Sequence, residues 1–194
     1  MSEEQIRYYF DFLCPYSYIG WLFLKKALAG KNLSTALYAV GNIRPGDAGN
    51  GFHIPVNSSR RWEKLAERGK SLGIKIKGPP QCVSSFPARR GLLKYSGIAR
   101  EDFIDGVFRA VFCDGLDIGN ARILTNFLQT EGVDYIPMQE TLADPQTEKL
   151  AEDVTSLWDV RRIRLLPTVE IGEDRYAGLI DARGLENLLA RVIF

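Results

Sequence analysis

Histidine is almost missing from this chain. One residue, His53, stands among 194, in the Gly- and Pro-containing stretch GNGFHIP, where it reads as a solvated loop side chain. A histidine-based metal centre or a Ser-His-Asp triad therefore has no material to form from, and no metal is expected. Cysteine is scarce too: Cys14, Cys82 and Cys113 are odd in number and far apart, and no C-x-x-C occurs, which argues against a secreted disulfide framework. Charge of one sign is also lacking. With 25 Lys plus Arg against 24 Asp plus Glu, the chain has no general electrostatic attraction to nucleic acid or to an anionic membrane. Long apolar runs are absent as well. The opening MSEEQIRYYFDF is acidic and then strand-like, too short to be a secretory core or a membrane span, so the expected setting is cytoplasmic. Neither an internal repeat nor a low-complexity segment is found.

What remains is the composition of a folded globular protein, 45% hydrophobic and 25% charged. Gln5 to Phe12, aromatic and β-branched, predicts a central strand. Pro15 suits the first position of a helix that carries Tyr18, Trp21, Leu22 and Leu28 and stops at Gly30. Ser34 to Val40 predicts a second strand, completing a βαβ unit. A Gly-, Pro- and Asn-rich stretch from Asn42 to Asn57 marks a boundary. Beyond it, Arg60–Leu72, Phe86–Tyr95, Glu101–Cys113, Asn120–Glu131 and Pro145–Trp158 show helical spacing, with Gly73, Gly97 and Gly132 as stops. The period returns to two at Pro167–Ile171, and a Gly172–Asp174 turn leads to a return strand, Arg175–Leu179. Asp181 then caps a last helix. The layout is βαβ, a helical block, then ββα, with the outer parts sharing one sheet.

The stretch FDFLCPYSYIGW sets Cys14 between strand and helix. With Pro15 as first helical residue, Cys14 is the N-cap, and its sulfur faces free amides and the positive end of the helix dipole. Such a position lowers a thiol pKa from about 8.5 toward 3.5 to 7.5 and favours the reactive thiolate. The alternative is a buried cysteine serving as a small apolar filler.

This turn resembles the active-site turn of the DsbA-like branch of the thioredoxin superfamily, which includes disulfide oxidoreductases, kappa-class glutathione transferases and 2-hydroxychromene-2-carboxylate isomerases. The resemblance extends over nearly the whole chain, because that branch carries a helical domain inserted between the βαβ and ββα parts of a thioredoxin fold. It implies an α/β thioredoxin-like domain, residues 1–45 and 163–194, and an all-helical insertion, 46–162. Leu166-Pro167-Thr168 resembles the family's cis-proline loop, which lies beside the reactive residue and pairs with a substrate's cysteine or with glutathione. Pro167 taken alone is a strand-start proline.

Dithiol members carry cysteine at both ends of the four-residue motif, whereas the transferases and isomerases have serine first. Here cysteine comes first and Ser17 fourth, so a mixed disulfide on Cys14 must be resolved by glutathione or a partner thiol. The resemblance thus implies a monothiol oxidoreductase with Cys14 and Ser17 as catalytic residues and glutathione as co-substrate. Tyr16, Leu166, Pro167, Thr168 and Asp181 would contact substrate or glutathione. A glutathione-dependent isomerase or transferase acting on a small aromatic compound is the alternative, and a non-catalytic binding protein of the same fold is a third. Substrates would be a small thiol, an aromatic compound or a protein disulfide, and a homodimer is compatible with the reading. One departure stands out. Glutathione-using relatives carry Gly-x-Asp-Arg before the last helix; here the run is Gly178-Leu-Ile-Asp181-Ala-Arg183, with Ile180 at the acidic position and Asp181 displaced by one. The arginine pairs at 60/61, 89/90 and 161/162 are candidates for ligand carboxylates, with solvated surface charge as the ordinary account. Cys82 and Cys113 are expected to be structural.

Overall fold

The computed structural model describes residues 6–41, 59–77, 84–133 and 136–190. Four strands and eight α-helices lie within them: β1 (Ile6–Phe10), α1 (Pro15–Leu28), β2 (Thr35–Ala39), α2 (Ser59–Ser71), α3 (Phe86–Leu92), α4 (Gly97–Arg109), α5 (Ala121–Thr130), α6 (Met138–Ala143), α7 (Pro145–Val160), β3 (Thr168–Ile171), β4 (Asp174–Ala177) and α8 (Ala182–Leu189). A π turn, Ala110–Asp114, prolongs α4 until Gly115 takes a left-handed conformation.

The strands make one mixed sheet ordered β2-β1-β3-β4. β1 is parallel to β2, with Tyr9 opposite Tyr38, and antiparallel to β3, with Tyr9 opposite Thr168. Because β1 is central and covered on both faces, all of it except Arg7 is buried, which accounts for its nearly unbroken apolar run. In the β3–β4 hairpin, Gly172 follows the Ile171–Asp174 pair at φ 58°, the left-handed geometry that a two-residue hairpin turn requires. The order anticipated from the sequence is the order observed: a thioredoxin fold interrupted by helices between β2 and β3.

Three details differ. Gly97, expected to end a helix, instead opens α4 behind Ser96, and α3 already ends at Leu92. α6 was not anticipated; six residues long, it is too short to display a helical period. β4 ends at Ala177 rather than Leu179, because Gly178, at φ 93°, turns the chain away. His53, Cys82 and the whole boundary stretch, Asn42 to Asn57, lie outside the described residues.

The helical block is welded to the sheet by aromatic rings. Tyr18 of α1 stacks on Phe108 of α4 with centroids 5.0 Å apart, and Phe12 lies 5.3 Å from the same ring. Phe10, Phe12, Phe103, Phe108 and Phe112 are all essentially inaccessible to solvent. Nor are Arg89 and Arg90 solvated surface charges or ligand cations. Both are buried. Arg89 donates from Nε to the Ala39 carbonyl at 2.9 Å and also reaches Thr155. Arg90 donates to Thr147 Oγ1 at 3.0 Å and to the Asp144 carbonyl at 2.6 Å. They tie α3 to the sheet and to α7, which satisfies charges that would otherwise be costly to bury. Arg60, Arg161 and Arg162 are exposed.

Candidate active site

Pro15 starts α1 and Cys14 is its N-cap, in extended conformation at φ −94°, ψ 111°. The Cys14 carbonyl accepts from Tyr18 N–H at 3.2 Å, and its own N–H donates to the Asp11 carbonyl at 3.1 Å. The sulfur therefore hangs at the mouth of the helix, as the sequence led one to expect. Its surroundings were less foreseeable. Cys14 is 5% exposed and belongs to an apolar cluster with Tyr9, Val40, Trp158, Ile163 and Leu166. Its Sγ lies 3.8 Å from the Leu166 carbonyl oxygen, at the start of the Leu166–Pro167 peptide bond, which is cis. The cysteine and the proline loop, 152 residues apart in sequence, form one site.

That loop is fixed from behind. The Pro167 carbonyl accepts from Gly178 N–H at 2.7 Å, and the buried Thr168 hydroxyl donates to the Leu165 carbonyl at 2.6 Å. Gly20 lets α1 approach it: a Cβ at position 20 would stand 2.7 Å from the Tyr8 hydroxyl and 3.0 Å from Pro167 Cγ. Tyr8 holds the same region by donating from its hydroxyl to the Ser17 carbonyl at 2.7 Å.

The electrostatics overturn one expectation. Burial pushes the Cys14 thiol up, to about 11. Hydrogen bonds from the Ser17 side chain and from the Ser17 and Tyr16 backbone pull the other way, while the Asp11 carboxylate adds to the rise. The helix mouth does act in the anticipated direction, but removing the sulfur from water outweighs it. The resting side chain is a neutral thiol that donates weakly to the Leu166 carbonyl.

Ser17 is fully buried beneath the sulfur, and Tyr16 packs half-buried against the same cluster. Asp181 caps α8, its Oδ1 accepting from Gly184 N–H at 2.8 Å; the structure uses it as a cap and gives it no contact with Cys14. Cys113 is half-buried, with its sulfur 3.8 Å from the Tyr18 hydroxyl. Asp11 and Gly20 were not foreseen from the sequence. An acid ending an apolar strand and a glycine inside a helical pattern were the available signals. Among the described residues no group of histidine, cysteine and acidic side chains could hold a metal ion, and no helix is long and apolar enough to cross a membrane.

Comparisons with known proteins agree with this architecture. A search of curated protein sequences finds no match. Among solved structures, a 2-hydroxychromene-2-carboxylate isomerase superposes with a TM-score of 0.80 at 20% identity, over 97% of this chain and 95% of the other. A probable DsbA oxidoreductase from Streptomyces coelicolor gives 0.75 at 17% identity, over 97% and 89%. The cytosolic disulfide reductase DsbM from Pseudomonas aeruginosa, determined with GSH, gives 0.63 at 16% identity, over 97% and 96%. A sequence profile of the DSBA-like thioredoxin domain matches residues 5–192, so this chain belongs to that family.

Proposed function

We propose that the protein is a monothiol, glutathione-linked thiol-disulfide oxidoreductase with Cys14 as nucleophile. The observation that carries this reading is the Cys14 sulfur 3.8 Å from the carbonyl of the cis Leu166–Pro167 bond, with a serine where a resolving thiol would stand. The main-chain N–H of a substrate cysteine seated along the Leu166–Pro167 backbone would donate to that carbonyl in place of the Cys14 thiol. The thiolate formed at attack is met by the Ser17 and α1 donors, which oppose the burial and the Asp11 charge that favour the thiol. The Cys14 thiolate attacks one sulfur of the substrate disulfide RS–SR′, forming Cys14–S–SR and releasing R′S⁻, which takes up the proton that Cys14 gave up. Glutathione thiolate next attacks the R-side sulfur, giving GS–SR and restoring Cys14. Net, RS–SR′ and GSH become GS–SR and R′SH. Tyr16, Leu166 and Pro167 would border the bound thiol, and Asp181, at the head of α8, would face the γ-glutamyl end. A cytoplasmic setting, where glutathione keeps thiols reduced, belongs to the same proposal, as does an insertion spanning 46–162. Support comes from the DsbM relative, described as cytosolic and determined with GSH. The test is treatment of the reduced protein with oxidised glutathione. One glutathionyl group is expected on Cys14 by peptide mass; an unmodified Cys14, in protein that is fully modified after unfolding, would refute it.

A second reading is favoured by the raised Cys14 pKa. A neutral, buried thiol stands where the isomerases and kappa-type transferases carry a serine hydroxyl, and it can serve as a donor to the sulfur of bound glutathione. A glutathione-dependent isomerase or transferase of small aromatic substrates would then keep its turnover in Cys14→Ser, which the oxidoreductase would lose completely.

A further inference from the structure

Resting on the reading of Cys14 as the reactive sulfur, we propose that Asp11 is a positioning residue of this site: anchored by the helical block, its carboxylate fixes the turn that carries Cys14 and sets how readily the sulfur reacts. Asp11 follows β1 and is fully buried, a rare place for a carboxylate without partners. Its Oδ1 accepts from Leu13 N–H at 2.6 Å, and its main-chain carbonyl accepts from Cys14 N–H at 3.1 Å, so the 11–14 turn is closed from both ends of one residue. The second carboxylate oxygen leaves the turn: Oδ2 accepts from Ser85 Oγ at 2.8 Å, and Ser85 is the N-cap of α3. One turn further along α3, buried Arg89 sits in the field of the Asp11 charge.

Turn closure alone asks for one oxygen and no charge, and an asparagine would supply it. The second oxygen is held by another layer of the molecule, and both oxygens meet donors, as suits an acceptor-only anion. The groups around the Cys14 sulfur are Asp11, Tyr8 and Tyr9 from the β1 side, Tyr16, Ser17 and the first amides of α1, and the Leu166 carbonyl with Trp158 from the cis-proline side. Burial acts on the thiol most strongly, Ser17 opposes it, and Asp11 pushes with burial. α3 therefore reaches the reactive sulfur through one carboxylate.

The experiment follows alkylation of Cys14 by iodoacetamide against pH in the full chain, resolved by peptide mass, for wild type and Asp11→Asn. Asparagine keeps the acceptor for Leu13 and turns an amide toward the Ser85 hydroxyl, so the turn survives while the charge goes. The midpoint should fall, and the rate at pH 8 should rise about three- to tenfold, the effect of removing one interacting carboxylate charge at intermediate screening. A purely structural Asp11 predicts an unchanged midpoint, and that result overturns the proposal alone. Failure to alkylate Cys14 in folded wild type at any pH, with full alkylation after unfolding, removes the reading of Cys14 and this proposal together. Should Asp11→Asn not fold, carboxyl carbon NMR of the wild type decides: the Asp11 resonance should inflect at the Cys14 midpoint, and a flat trace there overturns the coupling.

Discussion

At position 14 two forces oppose each other on one sulfur atom. Helix-mouth donors stabilise the thiolate and burial among Tyr9, Trp158 and Leu166 stabilises the thiol, and burial prevails, with the pKa at about 11. A folded-state pKa above the unfolded value means that the unfolded chain releases its proton first as pH rises. Stability from this thiol is thus complete below about 9 and is lost as pH climbs toward about 11. Cys14→Ser should make the loss of unfolding free energy between those limits smaller by about 2 kcal/mol, measured by urea titration at several pH values. Cys113, pushed up in the same direction by its own burial, leaves part of the slope in place. Ser17→Ala probes the opposing force. Without the Ser17 hydroxyl the Cys14 alkylation midpoint should rise, opposite to the shift for Asp11→Asn, and glutathionylation at pH 8 should slow about threefold or more. A fall in the midpoint would show that the hydroxyl does not serve the sulfur.

Elements were legible where a period marks them. β1, α1 and the β3–β4 hairpin follow from an apolar run, a proline start and a Gly172 turn, and the order of parts could be read because the period changes twice. What sequence periods do not carry is the contact between elements. Arg89 and Arg90 look like surface charge in FPARRGL, since nothing local tells that Ala39, Thr147 and Asp144 will receive them. The cis geometry of Pro167 follows from family resemblance rather than from its neighbours, and Pro15 marks Cys14 as a helix N-cap without telling how deeply its sulfur is buried. Gly20 shows the same gap. As one glycine in a helix it reads as a small helical penalty, yet it is the point where α1 passes Tyr8 and the cis proline. Gly20→Ala places a methyl 2.7 Å from a hydroxyl that the Ser17 carbonyl already engages. It should cost about 1–3 kcal/mol by overpacking despite alanine's better helix propensity, and it should slow glutathionylation of Cys14 by moving α1 off the loop. A stabilised protein of unchanged reactivity, seen by thermal melting and peptide mass, would refute this.

At the scale of the whole molecule the helical block is an insertion in sequence but not a separate body in its packing. Phe108 of α4 lies against Phe10, Phe12 and Tyr18, Trp21 of α1 donates from its indole to Asp105 of α4 at 2.6 Å, and Arg89 binds α3 to the sheet edge at Ala39. One core extends through both parts, so neither retains a closed apolar surface without the other. Denaturant unfolding should therefore be a single transition. Far-UV dichroism, dominated by the helices, and the summed fluorescence of Trp21 in α1, Trp62 in α2 and Trp158 in α7 should report the same midpoint and slope. Phe108→Ala should lower the stability seen by both probes equally, by about 3–5 kcal/mol. If the fluorescence and dichroism curves separate, or Phe108→Ala shifts the helical signal alone, the block has a core of its own. In that case Ser85 and Arg89 reach the Cys14 turn across an interface rather than through a shared interior.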